Sequence, residues 1–79
     1  MNFNYQMGES SRDLVRVYQQ IAVEYQEQEE FEMSLQFFEK CLDVSHRAGA
    51  SFKETECYQQ IGMIYEQQGD LQSAIKYLN

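Results

Sequence analysis

The chain has 79 residues, enough for one small domain or for part of a larger one. Its 13 acidic and 6 basic side chains give a net charge of −7, which argues against nucleic-acid binding and against docking on anionic membrane. No apolar run reaches the ~20 residues of a membrane-spanning helix, and Met1 to Glu9 lack the features of a signal peptide.

The composition predicts an all-α protein with short turns, because Pro is absent, Gly is sparse and strong helix formers dominate. Residues 1–11 are interpreted as the end of a preceding helix, stopped at Gly8, or as a frayed terminus. A first helix is predicted near 12–28, with Ser10 or Ser11 as its N-cap. Its apolar stripe consists of Leu14, Tyr18, Ile21 and Tyr25, with Val15 and Ala22 beside it.

A second helix is predicted near 31–48 and ends at Gly49, which can adopt the left-handed conformation without steric cost. A third helix follows near 52–67, and Ser51 with Glu54 reads as its capping box. The apolar stripe of the second helix is Phe31, Leu35, Phe38 and Leu42, with Ser34 and Cys41 beside it. The inward residues of the third are Tyr58, Ile61, Gly62 and Tyr65.

A fourth helix is predicted from Leu71, after a turn in which Gly69 closes the third helix and Asp70 caps the fourth. Its apolar face consists of Leu71, Ala74, Ile75 and Leu78. The predicted turns are very short, so consecutive helices must lie antiparallel. Helices of this length cannot bury an apolar face alone, and the pairs are therefore expected to stack.

The strongest sequence signal is a duplication. The tetrapeptide Tyr-Gln-Gln-Ile occurs at 18–21 and again at 58–61, an offset of 40 residues. When residues 16–39 are set against 56–79, six positions are identical and most others keep their polarity. A fixed period of this length indicates a repeat architecture.

These residues resemble the tetratricopeptide repeat, whose pattern has an aromatic, a small residue and Tyr on one helix and Ala with a bulky residue on the next. The closer match consists of Tyr58, Ile61-Gly62, Tyr65, Gly69-Asp70-Leu71, Ala74 and Leu78. The looser match consists of Tyr18, Ile21-Ala22, Tyr25, Phe31, Ser34, Phe38 and Cys41. The resemblance implies a right-handed α-solenoid of antiparallel helix pairs, with repeats at 12–51 and 52–79, the second truncated.

The chain departs from the family pattern in its 40-residue period, against about 34 residues in the usual repeat, and in having no helix-ending Pro. It looks like the longer-repeat branch, similar to repeats of cortical polarity adaptors that bind G-protein regulators and of some ciliary proteins. Stable arrays need at least ~3 repeats, so the chain is interpreted as an excerpt of a longer array or as one that leans on another chain. Leu71, Ile75, Tyr77 and Leu78 would then pack against a following helix.

In this family the first helix of each pair lines a concave groove. Carried over by position, the groove residues are Arg16, Gln19, Val23, Gln26, Glu27, Glu56, Gln59, Met63, Glu66 and Gln67. This Gln-rich, acidic set with two apolar centres suits a basic or amphipathic peptide or helix; the alternative is a plain solvated helix face. The residues of the family's Lys/Arg/Asn clamp for a C-terminal carboxylate are replaced here by Gln19, Gln59, Val23 and Met63.

Catalytic and metal-binding chemistry finds little support. His46 is the only histidine, and Cys41 and Cys57 read as small core residues with free thiols in a reducing compartment. One histidine and two distant thiols are too few for a zinc site. The sequence therefore predicts a cytoplasmic, non-enzymatic scaffold without cofactor that binds protein partners. The alternatives are an architectural segment of a large assembly, such as a ciliary or cytoskeletal one, and a regulatory domain of a longer enzyme.

Overall fold

The structure, a computed structural model, describes residues 7–78, with side chains from residue 12 onward, and it consists there of helices and tight turns. The helices are α1 (Met7–Glu27), α2 (Phe31–Arg47), α3 (Ser51–Gln67) and α4 (Leu71–Leu78). No strand occurs in this part of the chain. The all-α prediction is confirmed, and α2 and α3 begin and end within one residue of their predicted bounds.

Consecutive helices pack as neighbours, α1 on α2, α2 on α3 and α3 on α4. Each turn reverses the chain direction, so α1 and α3 run parallel to each other, as do α2 and α4. The amide nitrogen of Gln26 near the end of α1 donates to the amide oxygen of Gln67 at the end of α3, over 3.2 Å. This bond places α1 and α3 side by side in one layer.

The start of α1 differs from the prediction. The helix begins at Met7, so Ser10 and Ser11 lie inside it and neither is its N-cap. Gly8 does not stop a helix, because a single Gly in the first turn lowers helix stability without breaking the hydrogen-bond ladder. Residues 1–6, where part of a preceding helix was expected, lie outside the described residues. The repeat boundaries at 12–51 and 52–79 stay a prediction.

The three turns share one geometry, with helices ending at Glu27, Arg47 and Gln67, a spacing of 20 residues. In each turn, the N–H of the third residue after the helix donates to a carbonyl in the last helical turn, as in a Schellman motif. These bonds are Glu30 N to Tyr25 O at 2.9 Å, Ala50 N to Ser45 O at 2.9 Å and Asp70 N to Tyr65 O at 2.8 Å. The 40-residue repeat is thus built from two 20-residue halves.

The Schellman turn requires a left-handed residue two positions after each helix. Gly49 and Gly69 fill it with φ of 71° and 82°, as predicted from the sequence, whereas Glu29 fills the first turn with φ of 61°. A residue with a Cβ pays about 1–2 kcal/mol in this conformation.

We therefore expect Glu29→Gly to raise the free energy of unfolding by about 1 kcal/mol, measured by urea denaturation. The matched control is Gln28→Gly, whose position precedes Glu29 and does not require positive φ; it should be neutral or destabilising. A loss of stability in Glu29→Gly equal to that of the control would contradict this reading of the turn.

The N-terminus of α3 has no side-chain cap, whereas that of α4 has one. The predicted capping box at Ser51 is wrong, because Ala50 is the N-cap of α3, no side chain bonds to it, and Ser51 is already helical. The turn geometry set by Gly49 fixes Ala50 at that position. The prediction for α4 is confirmed, because the Asp70 carboxylate accepts the Ser73 N–H at 3.2 Å and the Ser73 hydroxyl at 2.8 Å.

The core consists of two clusters of buried side chains. The larger one contains Ala22, Phe38, Ile61 and Ile64, and the smaller one contains Val15, Cys41 and Cys57. Small residues lie where helices approach most closely: the buried Ser34 hydroxyl donates to the Ala22 carbonyl at 2.7 Å. At the equivalent contact of α3 and α4, a Cβ on Gly62 would come within 2.6 Å of Leu78 Cγ. Both contacts fit the size pattern of the sequence.

The predicted stripes of α1 and α3 need correction at three positions. Leu14, expected inside, is 43% exposed, while Val15 and Ala22, expected beside the stripe, are buried. The helix turns these smaller side chains toward α2, since a Leu at the closest approach would hold the helices apart. Tyr58, also expected inside, is 41% exposed. Ile64, which the stripe of α3 omitted, is fully buried.

Each half of the duplication carries the same aromatic group. Phe37 on α2 lies 6.1 Å from Tyr18 and 5.9 Å from Tyr25, between ring centroids. Forty residues later, Tyr77 lies 6.2 Å from Tyr58 and 5.6 Å from Tyr65. Tyr77 therefore packs between α3 and α4, although a place at the open end was predicted for it. The rest of that face stays exposed, with Leu71, Ile75 and Leu78 at 60%, 58% and 47%.

Candidate binding groove

The groove predicted from the sequence corresponds to the exposed surface of the α1–α3 layer. All of the predicted groove residues lie on these two helices. Arg16, Glu27, Gln59, Met63, Glu66 and Gln67 are exposed, and Gln19, Val23, Gln26 and Glu56 are half-buried. Because α1 and α3 are parallel, their N-terminal ends lie at one end of this surface and their C-terminal ends at the other.

The N-terminal end of the groove is basic. A cavity of about 220 Å³ lies there, lined by Arg12, Val15, Arg16 and Lys53. These three cations are half of the six Lys and Arg residues in a chain of net charge −7. The Lys53 ammonium lies 3.3 Å from the carboxylate of Glu56, one turn further along α3. This end is therefore a positive site in an otherwise acidic molecule.

Sequence reasoning included Arg16 in the groove but missed Arg12 and Lys53. A signal was present for Lys53 alone, because a cation in the first turn of a helix opposes the positive end of the helix dipole and costs stability there. Lys53 is the third residue of α3, whereas Arg12 is the sixth residue of α1 and lies beyond its first turn. A base at a position that local helix energetics disfavour indicates another use for its charge.

The middle of the groove is apolar and amide-lined. Met63 is 45% exposed. Val23, its counterpart on α1, is half-buried and packs against the larger core cluster, so it serves the core as well as the groove. Gln59 is exposed and Gln19 half-buried. Amide side chains can donate and accept at once, which suits hydrogen bonds to a peptide backbone.

The C-terminal end of the groove is closed by a bond between the helices. The Gln26 amide nitrogen donates to the Gln67 amide oxygen over 3.2 Å. Among the predicted groove residues, this is the hydrogen bond that the described side chains form with one another. Glu27 and Glu66 are exposed on either side of this pair. The surface thus changes from positive at the N-terminal end to negative at the C-terminal end.

Two further depressions lie outside the groove. One of about 330 Å³ lies on the outer face of α2, lined by Gln36, Glu39, Lys40 and Asp43. The other, of about 290 Å³, is lined by Ile21, Glu24, Tyr25 and Gln28. Neither is lined by a predicted groove residue.

The residue types that serve in catalysis or metal binding are scattered over the described part of the chain. His46 is exposed at the end of α2 and its ring nitrogen lies 3.4 Å from a carboxylate oxygen of Glu54 on α3. Among the residues from 12 to 78, no group of three or more His, Cys, Asp or Glu side chains could hold a metal ion. None of the described helices is long and apolar enough to cross a membrane.

The comparison with protein families decides the classification. A family model described as tetratricopeptide repeat matches residues 7–79. The chain belongs to the tetratricopeptide repeat family. The resemblance inferred from the duplicated tetrapeptide is therefore confirmed, and tetratricopeptide repeat domains are in general protein–protein interaction modules. No curated protein and no solved structure gives a significant match to this tetratricopeptide repeat chain.

Proposed function

We propose that the surface between α1 and α3 is the binding site for a peptide segment of a protein partner. The supporting observation is the exposed Met63 and Gln59 in the middle of a layer that is basic at one end and acidic at the other. Apolar contact at the centre and polar groups around it are typical of peptide-binding grooves.

The charge gradient indicates which charge a bound segment carries at each end. A segment with an acidic residue near Arg12 and Arg16 and a basic residue near Glu27 and Glu66 matches both ends. Between them, an apolar side chain on Met63 and backbone bonds to Gln19 and Gln59 would complete the contact. A partner that is basic along its whole length, the simpler expectation from net charge, fits only the C-terminal half.

A second candidate function is supported by α4. Its exposed Leu71, Ile75 and Leu78 correspond, 40 residues apart, to Phe31, Leu35 and Phe38, which are half-buried or buried on α2. This correspondence supports an architectural role in which further repeats or a large assembly cover α4. It would suit a cytoplasmic array in a cytoskeletal or ciliary assembly, or a regulatory domain of a longer enzyme.

The proposal is tested by selecting peptides against the folded chain from a displayed random library and measuring their affinity by calorimetry. Gln59→Ala and Met63→Ala should each weaken binding by about fivefold or more, the effect of losing a central interface residue. Circular dichroism should show unchanged helix content, because both side chains are exposed.

The matched controls are Gln36→Ala and Lys40→Ala on the outer face of α2, which should leave affinity unchanged. If the controls weaken binding and the groove variants do not, the binding surface is the outer face of α2. If selected peptides bind only through Leu71, Ile75 and Leu78, the architectural candidate is favoured.

A further inference from the structure

The two cysteines are brought together in the smaller core cluster. Cys41 on α2 and Cys57 on α3 are separated by 16 residues, and their sulfur atoms lie 3.2 Å apart, with the Cys57 thiol donating to Cys41 Sγ. Cys41 in turn lies 3.4 Å from the Val15 carbonyl on α1. Both are free thiols and both are buried.

The surroundings make the two thiols unequal. The hydrogen bond from Cys57 lowers the pKa of Cys41, with a further contribution from the positive charge of Lys53, although burial opposes both. The same bond and burial raise the pKa of Cys57. Because Cys57 donates its proton to the Cys41 sulfur, Cys41 is assigned as the attacking sulfur and Cys57 as its proton-bearing neighbour. A thiolate beside a thiol is the arrangement in which a disulfide forms most readily.

We propose that Cys41 and Cys57 are a reversible oxidation site, at which hydrogen peroxide converts the pair into a disulfide that ties α2 to α3. The Cys41 thiolate attacks the peroxide, an S–O bond forms, the O–O bond breaks, and the leaving oxygen departs as water after taking a proton. Cys57 then attacks the Cys41 sulfur as its own proton leaves, the S–S bond forms, and a second water departs. The two thiols lose two electrons and one hydrogen peroxide is reduced to two waters.

Closure requires only a small movement. A disulfide has an S–S distance of about 2.05 Å, so the sulfurs must approach by about 1.2 Å from their present 3.2 Å. The neighbouring Ser45 hydroxyl is buried and makes no hydrogen bond with any described residue, although it lies close enough to lower the pKa of both thiols. It can bond to the sulfenic oxygen that forms on Cys41 during the first step.

We expect hydrogen peroxide to enter from the basic end of the groove. The cavity lined by Arg12, Arg16 and Lys53 also includes Val15, whose carbonyl contacts Cys41. Hydrogen peroxide is close in size to water and can reach the pair there after a small local opening. Bulkier oxidants are expected to react more slowly because both sulfurs are buried.

The bond would join the two halves of the duplication. Cys41 lies on the last helix of the first half and Cys57 on the first helix of the second. A disulfide there fixes the α2–α3 angle, which sets the spacing of α1 and α3.

The test treats the wild-type chain with a small excess of hydrogen peroxide and follows free thiols and intact mass. We expect loss of both thiols together, a mass lower by two hydrogen atoms, a monomer on a non-reducing gel and full reversal by dithiothreitol. The melting temperature should rise by about 10 °C or more, as for a loop of this length closed by an unstrained disulfide.

Cys57→Ser is the matched control, because it keeps a small hydroxyl in place of the resolving thiol. Its Cys41 should stop at sulfenic acid, detected with a dimedone reagent, and its melting temperature should not rise on oxidation. The proposal is overturned if wild-type thiols remain free under conditions that oxidise glutathione, if only intermolecular dimers form, or if mass mapping shows sulfinic acid at either position without a Cys41–Cys57 peptide pair.

Discussion

Phe38→Ala is expected to lower the free energy of unfolding by about 3–5 kcal/mol, the usual cost of emptying a buried aromatic site. Phe38 is fully buried and is the largest of the completely buried side chains between residues 12 and 78. It contacts both halves of the duplication, because its cluster includes Ala22 on α1 and Ile61 on α3. A domain of this size has about 4–12 kcal/mol in total, so the variant should be largely unfolded at moderate urea.

The matched control is Phe52→Ala, which removes the same ring from a helical position that is 73% exposed. Its unfolding free energy should change by less than about 0.5 kcal/mol. Equal losses in the two variants, measured by urea denaturation monitored by circular dichroism, would show that the core is not centred on Phe38.

Ser34→Ala and Ser45→Ala should differ in effect although both serines are fully buried on α2. The Ser34 hydroxyl donates to the Ala22 carbonyl at 2.7 Å, and its loss should cost about 1–2 kcal/mol. The Ser45 hydroxyl makes no hydrogen bond with any described residue. Ser45→Ala removes a buried hydroxyl whose desolvation no hydrogen bond offsets, so the free energy of unfolding should stay the same or rise.

Each serine variant serves as the control for the other, since the change in volume and helix propensity is the same. Unfolding midpoints under reducing conditions give the comparison without interference from the thiols. A larger loss for Ser45→Ala than for Ser34→Ala would mean that the hydroxyl near the cysteines is bonded more strongly than the one between α1 and α2.

The positions of the helices and turns could be predicted from the sequence, because each repeat of the duplication carries the same pattern of apolar and turn residues. Gly49 and Gly69 stand where the turn requires a left-handed residue, and the structure places Glu29 at the third such site. The capping box at Ser51 failed because a Schellman turn fixes the residue after its glycine as the N-cap, whatever side chains follow. Here the turn geometry set by Gly49, and not the Ser51–Glu54 pair, determines where α3 begins.

Residues that meet across helices were harder to predict. Leu14 and Val15 are adjacent and both apolar, and only the rotation of α1 against α2 decides that Val15 is buried. The contact of Cys41 with Cys57 depends on the register of α2 against α3 in the same way. For the groove, the family pattern supplied the helices, while the cavity shared by Arg12 and Lys53 required the α1–α3 arrangement.

The groove proposal is tested most directly by mapping a selected peptide on the isotope-labelled chain by amide chemical-shift changes in NMR. We expect the largest shifts on α1 and α3, centred on Gln59 and Met63 and extending to Arg16, while the signals of Gln36 and Lys40 on the outer face of α2 stay in place. Shifts concentrated on α2 or on the exposed face of α4, with Gln59 and Met63 unmoved, would contradict it.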